Sequence, residues 1–241
     1  MTARKHRRVR RATGPVALDP TSLVEPIVVT GLAPHPRRTD RVTVDLNDIT
    51  FGALPIDLVV ELSLKAGSVI ERSALDDVLS GCRRTALLDK GLDLLAVRAR
   101  SSRDLQARLR RTGAAEADIA WVIDRLTAQG FLDDARYARS VARGRMLSGG
   151  VSRRRVESEL RRVGIASDVT AAAIADTVAE VGFDEHDAAC GAARKRLRAL
   201  GTLDSTTRRR RLHAWLSRRG YQPDLVLRVL LEVIGEAADR D

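Results

Sequence analysis

From Cys82 onward, apolar residues recur three and four positions apart, the spacing that lays a stripe along one face of an α-helix. Leu87, Leu88, Leu92, Leu95 and Ala96 form the first stripe, and Arg98 with Arg100 brings that helix to a basic end, as the helix dipole favours. Ser101 is placed to cap the next helix, with Asp104 three residues on in the position of a capping box and Leu105 and Leu109 facing inward. Gly113 closes this helix as a left-handed C′ residue. A third helix runs through Ile119, Val122, Ile123 and Leu126 to a stop at Gly130.

The same order then recurs. Phe131-Leu132-Asp133-Asp134 opens a helix carrying Tyr137, Ala138 and Val141, followed by Ser152 to Gly164 and by Val169 to Val178, with Met146 to Gly150 as a loop or hinge. Gly182-Phe183-Asp184-Glu185 echoes Gly130-Phe131-Leu132-Asp133 and leads through Ala188, Ala189 and Ala193 to Leu197. Thr206 to Gly220 and Pro223 to Val233 complete the series, with Pro223 at a helix start. A recurrence at a period of roughly 50 residues marks one small unit stacked into an array. The pattern predicts an all-α protein, an elongated and somewhat curved array of three tandem three-helix repeats at residues 83–129, 130–180 and 181–236. Neighbouring repeats are expected to share apolar surface, because a unit of this size buries too little alone.

Ahead of the array the period changes. Val42, Val44 and Leu46 alternate with Arg41, Thr43 and Asp45, and Asn47-Asp48 offers a turn before Ile49-Thr50-Phe51, which predicts a β-hairpin. Pro55 to Leu64 reads as a short helix with its proline near N1, Gly67 as a break, and Ser68 to Leu79 as a second helix. Residues 40–82 are thus expected to form a small mixed α/β N-terminal extension that must pack on the helical array to be stable. Residues 1–39 combine an arginine cluster with Pro15, Pro20, Pro26, Pro34 and Pro36 and show no period, which predicts a disordered basic arm.

Composition narrows the class of partner. The 241 residues are 44% hydrophobic but 3% aromatic, so the core must come from Leu, Val, Ala and Ile. A formal charge of +10 and a pI near 10.7 point to an anionic partner: nucleic acid, an acidic protein surface or a membrane surface. Lysine occurs only at Lys5, Lys65, Lys90 and Lys195, so the charge is almost all arginine, which suits bidentate contact with phosphate or carboxylate. A GC-rich genome would enrich arginine codons as well. No window approaches the roughly 20 apolar residues that span a bilayer, and Phe51 to Leu64 is broken by Pro55, Asp57 and Glu61. The basic start from Arg4 to Arg11 leads into Gly14, Pro15 and Asp19 instead of an apolar stretch, so a cytoplasmic protein is expected, with no membrane contact. Cys82 and Cys190 form no spaced framework and read as buried thiols in a reducing compartment.

The second helix of each repeat carries the candidate chemistry. Arg103, Arg110 and Arg111 lie on one side of the first, away from Leu105 and Leu109. The second supplies Arg153, Arg154, Arg155, Arg161 and Arg162, and the third Arg208 to Arg211 with Arg218 and Arg219. Such rows can grip phosphates or acidic side chains; each arginine taken singly also fits an ordinary solvated helix face. The aromatic residues Phe51, Phe131, Phe183, Trp121, Trp215, Tyr137 and Tyr221 fall mostly at expected core positions, which leaves little for base stacking. His186 and Cys190 are four apart on a helix, but two ligands do not make a zinc site, and a buried thiol is the simpler account. Asp76-Asp77 and Asp133-Asp134 sit near helix ends, where acids suit the dipole. With no phosphate loop, no dinucleotide fingerprint and no nucleophile elbow, a binding protein without cofactor or metal is expected, not an enzyme.

Three segments carry a family resemblance: Leu92 to Leu105, Gly130-Phe131-Leu132-Asp133-Asp134-Ala135-Arg136-Tyr137-Ala138, and Glu159-Leu160-Arg161-Arg162-Val163-Gly164. Together they resemble the bacterial RecX proteins over residues 83–236, most specifically in Phe-Leu-Asp-Asp-x-Arg-Tyr-Ala. Residues 40–82 look like the N-terminal extension of some members; residues 1–39 match nothing assignable. The resemblance implies a modulator of the RecA recombinase in DNA repair and homologous recombination, a monomer lying in the groove of the RecA–DNA filament and inhibiting ATP hydrolysis and strand exchange. It implies no active-site residues, and it makes Phe131 and Tyr137 structural. The contacts expected to the filament or to DNA phosphates are Arg153, Arg154, Arg161 and Arg162, extended by Arg110, Arg111, Arg218 and Arg219. The run Arg208 to Arg211 and the arm exceed the family pattern, and they leave open a nucleic-acid-binding helical-repeat protein with no RecA role.

Overall fold

The computed structural model describes residues 23–201 and 203–238. These fall into two compact units, residues up to 98 with 106–126, and 99–105 with residues from 127 on.

In the first unit, β1 (Val29–Pro34), β2 (Arg41–Leu46) and β3 (Ile49–Pro55) form an antiparallel meander in that order. The expected hairpin is β2–β3. Asn47 and Asp48 both take positive φ, 48° and 65°, the conformation of the two-residue turn whose twist matches that of the flanking strands. Asn47 also accepts from the Val28 N–H and donates to the Val24 carbonyl at 2.7 Å each, which ties the turn to the segment before β1.

That segment corrects the expectation of an arm through residue 39. Residues 1–22 lie outside the described residues, but Leu23, Ile27 and Val29 are buried and β1 is an edge strand. The prolines that erased the period, Pro26, Pro34 and Pro36, flank or end this strand, and an edge strand can spare a backbone N–H. Val29, Val44, Leu46, Phe51 and Leu54 face Val78, Leu79 and Cys82 across the core.

Pro55 occupies the N-cap of α1 (Ile56–Glu61), not its first turn. The two helices expected around residues 68–97 are one, α2 (Arg72–Val97), so the boundary expected at 82/83 lies inside a continuous helix. Two glycines explain the weak signal. A Cβ at Gly81 would lie 2.6 Å from Leu58 Cδ2 and 2.7 Å from Leu54 Cδ2, and one at Gly91 would lie 3.1 Å from Leu126 Cδ1. The first half of α2 lets the sheet side approach and the second half lets α4 (Glu116–Ala128) approach, so its apolar stripe changes partner midway.

The second unit contains two repeats, α5 (Asp134–Ser148), α6 (Arg153–Arg162) and α7 (Ser167–Val181), then α8 (Glu185–Arg198), α9 (Ser205–Arg218) and α10 (Pro223–Ala238). Met146 and Leu147 belong to α5, which shortens the expected loop to its two positive-φ glycines and Val151. The first core gathers Ala138, Ala142, Val156, Leu160 and Ile174. The second gathers Ala193, Leu212, Leu216, Val226 and Val229.

The middle helices are joined to the following repeat by one recurring device. Ahead of α3 (Ser102–Arg110), the Ser101 hydroxyl accepts from the Asp104 N–H at 3.1 Å and donates to the Val163 carbonyl, at the end of α6, at 2.5 Å. Ahead of α6, the Ser152 hydroxyl accepts from the Arg155 N–H at 3.1 Å and donates to the Arg219 carbonyl, at the end of α9, at 3.1 Å. Both serines are fully buried. The next N–H of each helix donates to an acid opening the following repeat, Ser102 to Asp134 at 2.8 Å and Arg153 to Glu185 at 2.9 Å. Asp133 and Asp184 meanwhile cap α5 and α8. The cap expected at Ser101 is present, whereas the Asp104 carboxylate accepts from Arg100 at 2.8 Å instead of closing a capping box.

The glycines that end the middle helices have φ of 78°, 84° and 88° at Gly113, Gly164 and Gly220, as expected of left-handed C′ residues. Gly164 and Gly220 also meet the preceding repeat. A Cβ at Gly164 would run into the Arg103 side chain, and one at Gly220 would lie 2.6 Å from Ser152 Oγ; at Gly113 it would meet nothing within 4 Å. Gly113→Ala should therefore cost only the left-handed backbone strain, about 1–2 kcal/mol. Gly220→Ala should cost about 1–3 kcal/mol more, because Ser152 must shift. Urea unfolding midpoints of the two variants check the ranking.

Candidate partner and nucleic-acid interface

The eight arginines singled out by the sequence divide by what surrounds them. Three serve the fold. Arg110 makes a fork to Glu116, 2.6 Å from Nε to Oε1 and 2.9 Å from Nη2 to Oε2, and this hydrogen bond holds the Glu116 carboxyl below its usual range. Arg153 lies over the Phe183 ring at 6.0 Å, with Nε 4.0 Å from Glu185. Arg219 stacks on the Trp215 ring at 4.1 Å, and its guanidinium donates to the Gly150 carbonyl. Its own carbonyl is the acceptor for Ser152, so this residue closes the joint between the second and third repeats from both ends.

Arg110 is nevertheless exposed, as are the other five, Arg111, Arg154, Arg161, Arg162 and Arg218. Arg154, Arg161 and Arg162 share α6. At 100° per residue Arg154 and Arg161 point the same way and Arg162 lies beside them, while the buried Val156 and Leu160 occupy the opposite side. Arg155, between them in sequence, is tied to Glu159 at 3.4 Å, and Arg145 of α5 reaches the same carboxylate at 2.8 Å. Glu159 is thereby already neutralised, and Glu157, three residues after Arg154 and four before Arg161, is the acid on this face itself. Arg161 and Arg162 also lie in the last turn, where positive charge faces the helix carbonyls. Beside Arg161 a cleft of about 160 Å³ is lined by Glu157, Ile165, Ser167 and Thr170. The run Arg209 to Arg211 on α9 is exposed as well.

The aromatic residues depart from expectation. Phe51 and Tyr221 are buried, with burial pushing the Tyr221 hydroxyl up to about 12, but Phe131 is 57% exposed and Trp121 37% exposed. In the motif that carries the resemblance, Leu132 enters the core, Asp133 caps α5 and Asp134 receives the Ser102 N–H, whereas Phe131 is an apolar member left outside. Trp121 lies under the Arg84 guanidinium at 5.5 Å, part of a cluster in which Arg84 and Arg83 hold the buried Asp118 at 2.9 and 3.4 Å. In the same unit the buried Arg41 pairs with Asp89 at 2.7 Å. No periodicity in the sequence signals these pairs, because they join residues more than 30 positions apart.

Cys82 and Cys190 are both buried and free, as expected, and burial is the main cause raising their thiols to about 12 and about 11. Among the described residues no helix is long and apolar enough to cross a membrane.

Family models match along the array: RecX first three-helix domain over residues 88–126, second over 133–174 and third over 184–230. A regulatory protein RecX from Amycolatopsis mediterranei is 37% identical over 144 residues, 60% of this chain and 81% of that protein. One from Mycobacterium sp. strain KMS is 36% identical over 154 residues, 62% of this chain and 82% of the relative. A crystal structure of regulatory protein RecX superimposes with a TM-score of 0.67 at 17% identity, covering 87% of this chain and 99% of that one. The crystal structure of RecX from Lactobacillus salivarius gives a TM-score of 0.51 at 16% identity over 62% of this chain and 96% of that one.

The division of the arginines has a measurable consequence. Arg219→Ala should lower unfolding stability by about 1–3 kcal/mol, since the buried Gly150 carbonyl loses its donor and the Trp215 ring its stacking partner. Arg154→Ala should stay within about 0.5 kcal/mol of the parent. Urea titration of the two variants checks both.

Proposed function

The chain belongs to the RecX family, and from that premise we propose that it is a negative regulator of the RecA recombinase. It binds as a cytoplasmic monomer in the groove of the RecA–DNA filament and inhibits ATP hydrolysis and strand exchange, by occupancy and not by catalysis. The observation that carries this reading is the α6 face, where Arg154, Arg161 and Arg162 stand exposed, without internal carboxylate partners among the described residues. Guanidinium groups in such a row bind acidic side chains or phosphates in bidentate fashion, and a filament of protein on DNA presents both. Arg111 and Arg218 extend the contact set; Arg110, Arg153 and Arg219 are positioned to support it.

The test is the DNA-dependent ATPase of RecA. The parent chain should inhibit below stoichiometric amounts. The double variant Arg161→Glu, Arg162→Glu should raise the half-inhibiting concentration at least about tenfold, each charge-assisted contact being worth roughly 1.5–3 kcal/mol, while helical circular dichroism stays unchanged. If the salt dependence of filament binding also drops by about one unit per arginine removed, the partners are phosphates. Full inhibition by a folded double variant would remove α6 from the interface. Tight DNA binding by the parent with no effect on the ATPase would replace the proposal by a nucleic-acid-binding protein with no RecA role.

A further inference from the structure

Helix α8 and helix α10 bring together three side chains that the arginine surface does not use. His186 and Cys190 are one turn apart on α8, and Glu232 reaches them from α10. His186 Nε2 is 3.2 Å from Glu232 Oε2 and 3.8 Å from Cys190 Sγ, and one ligand atom from each residue lies within 4.8 Å of the others. We propose that His186, Cys190 and Glu232 form a binding site for a divalent cation of the zinc type, which ties α8 to α10 in the third repeat.

Two of the distances are close to those an ion requires, although Cys190 Sγ lies as near to His186 Nδ1, at 3.9 Å, as to Nε2. A tetrahedral zinc bonds imidazole nitrogen and carboxylate oxygen at roughly 2.0–2.2 Å and thiolate sulfur at roughly 2.3 Å, which sets nitrogen and oxygen roughly 3.3 Å apart and nitrogen and sulfur roughly 3.6 Å apart. The observed 3.2 and 3.8 Å differ from these by a few tenths of an ångström. A soft thiolate with an imidazole and one carboxylate selects zinc over magnesium or calcium, which prefer all-oxygen sites.

The surroundings suit the same role. Arg194 holds the other Glu232 oxygen, Oε1, at 2.9 Å and so presents Oε2 to the ring. Asp187 Oδ1 lies 3.8 Å from His186 Nδ1, beyond hydrogen-bond distance, and adds negative charge beside the ring. Cys190 is 2% exposed, whereas His186 and Glu232 are just over one-third exposed at their side chains, so the thiol forms the floor and the other two an open mouth. A dication would displace the thiol proton, and with one thiolate, one carboxylate and a neutral imidazole the loaded site carries no net charge. Three protein ligands leave the fourth position to water. The sequence spacing offers only the first two ligands, because Glu232 arrives through the packing of α10 on α8.

Cobalt titration of the full chain tests the site. One equivalent of Co²⁺ should produce a thiolate-to-metal charge-transfer band with tetrahedral visible absorption, both abolished by excess Zn²⁺. Cys82→Ser should keep the signal. Cys190→Ser, His186→Ala and Glu232→Gln should each lose it, with helical circular dichroism retained in the last two because those side chains are partly exposed. Zinc should raise the melting temperature of the parent and not of Glu232→Gln. No band in the parent, a band that survives Glu232→Gln or His186→Ala, or one that disappears with Cys82→Ser would each overturn the proposal.

Discussion

A buried serine hydroxyl at the start of a middle helix has to satisfy two backbone groups at once, and the joining of the repeats depends on its doing so. A helix leaves its first N–H and last C=O groups without internal partners, and where those ends are buried each must be met by some other group. Ser101 and Ser152 accept from their own helix and donate to the last carbonyl of the next middle helix. A carboxylate could do only the first. Asp204 caps α9 in that way, accepting from the Thr207 N–H, which holds its carboxyl below the usual range, and it is exposed. Serine stands where the cap is buried against the end of the next middle helix, and aspartate ahead of α9, where the cap is exposed.

The other parts of the joint derive from this geometry. For the serine to reach a helix-end carbonyl, that helix must stop in a left-handed residue with no side chain in the way, hence Gly164 and Gly220. The second orphan N–H of the buried helix is met by Asp134 or Glu185, immediately after the aspartate that caps the following repeat's own first helix. Two acids in a row at a repeat boundary thus cap two different helices. That is the physical content of the Phe-Leu-Asp-Asp segment, and it explains why its carboxylates have no need of a metal.

The same joint divides the arginines. Arg219 is drawn into it through Gly150, Trp215 and Ser152, and Arg153 through Glu185 and Phe183. Arg110 is spent on Glu116, while Arg145 and Arg155 share Glu159. Arg154, Arg161 and Arg162 stay outside the structural network and give α6 its exposed charge. Net charge alone treats all of these side chains alike; which arginines are tied within the fold is set by which carboxylates and carbonyls lie within reach.

Local signals determined the middle and last helices, the hairpin turn at Asn47-Asp48, the glycine stops and the basic character of the middle helices. Each rests on residues within about four positions of one another, where period, caps and turn conformation act. The strand at Val29–Pro34 was hidden by its prolines, and the continuity of α2 by Gly81 and Gly91, whose value lies in what packs against them. Tertiary structure alone decided that Ser101 answers Val163 and Ser152 answers Arg219, that Arg219 belongs to a joint while Arg161 faces outward, and that Glu232 meets His186 and Cys190. The reason is range: a hydrogen bond or ion pair acts over about 3–4 Å, and residues far apart in the chain come that close only through the packing of whole helices.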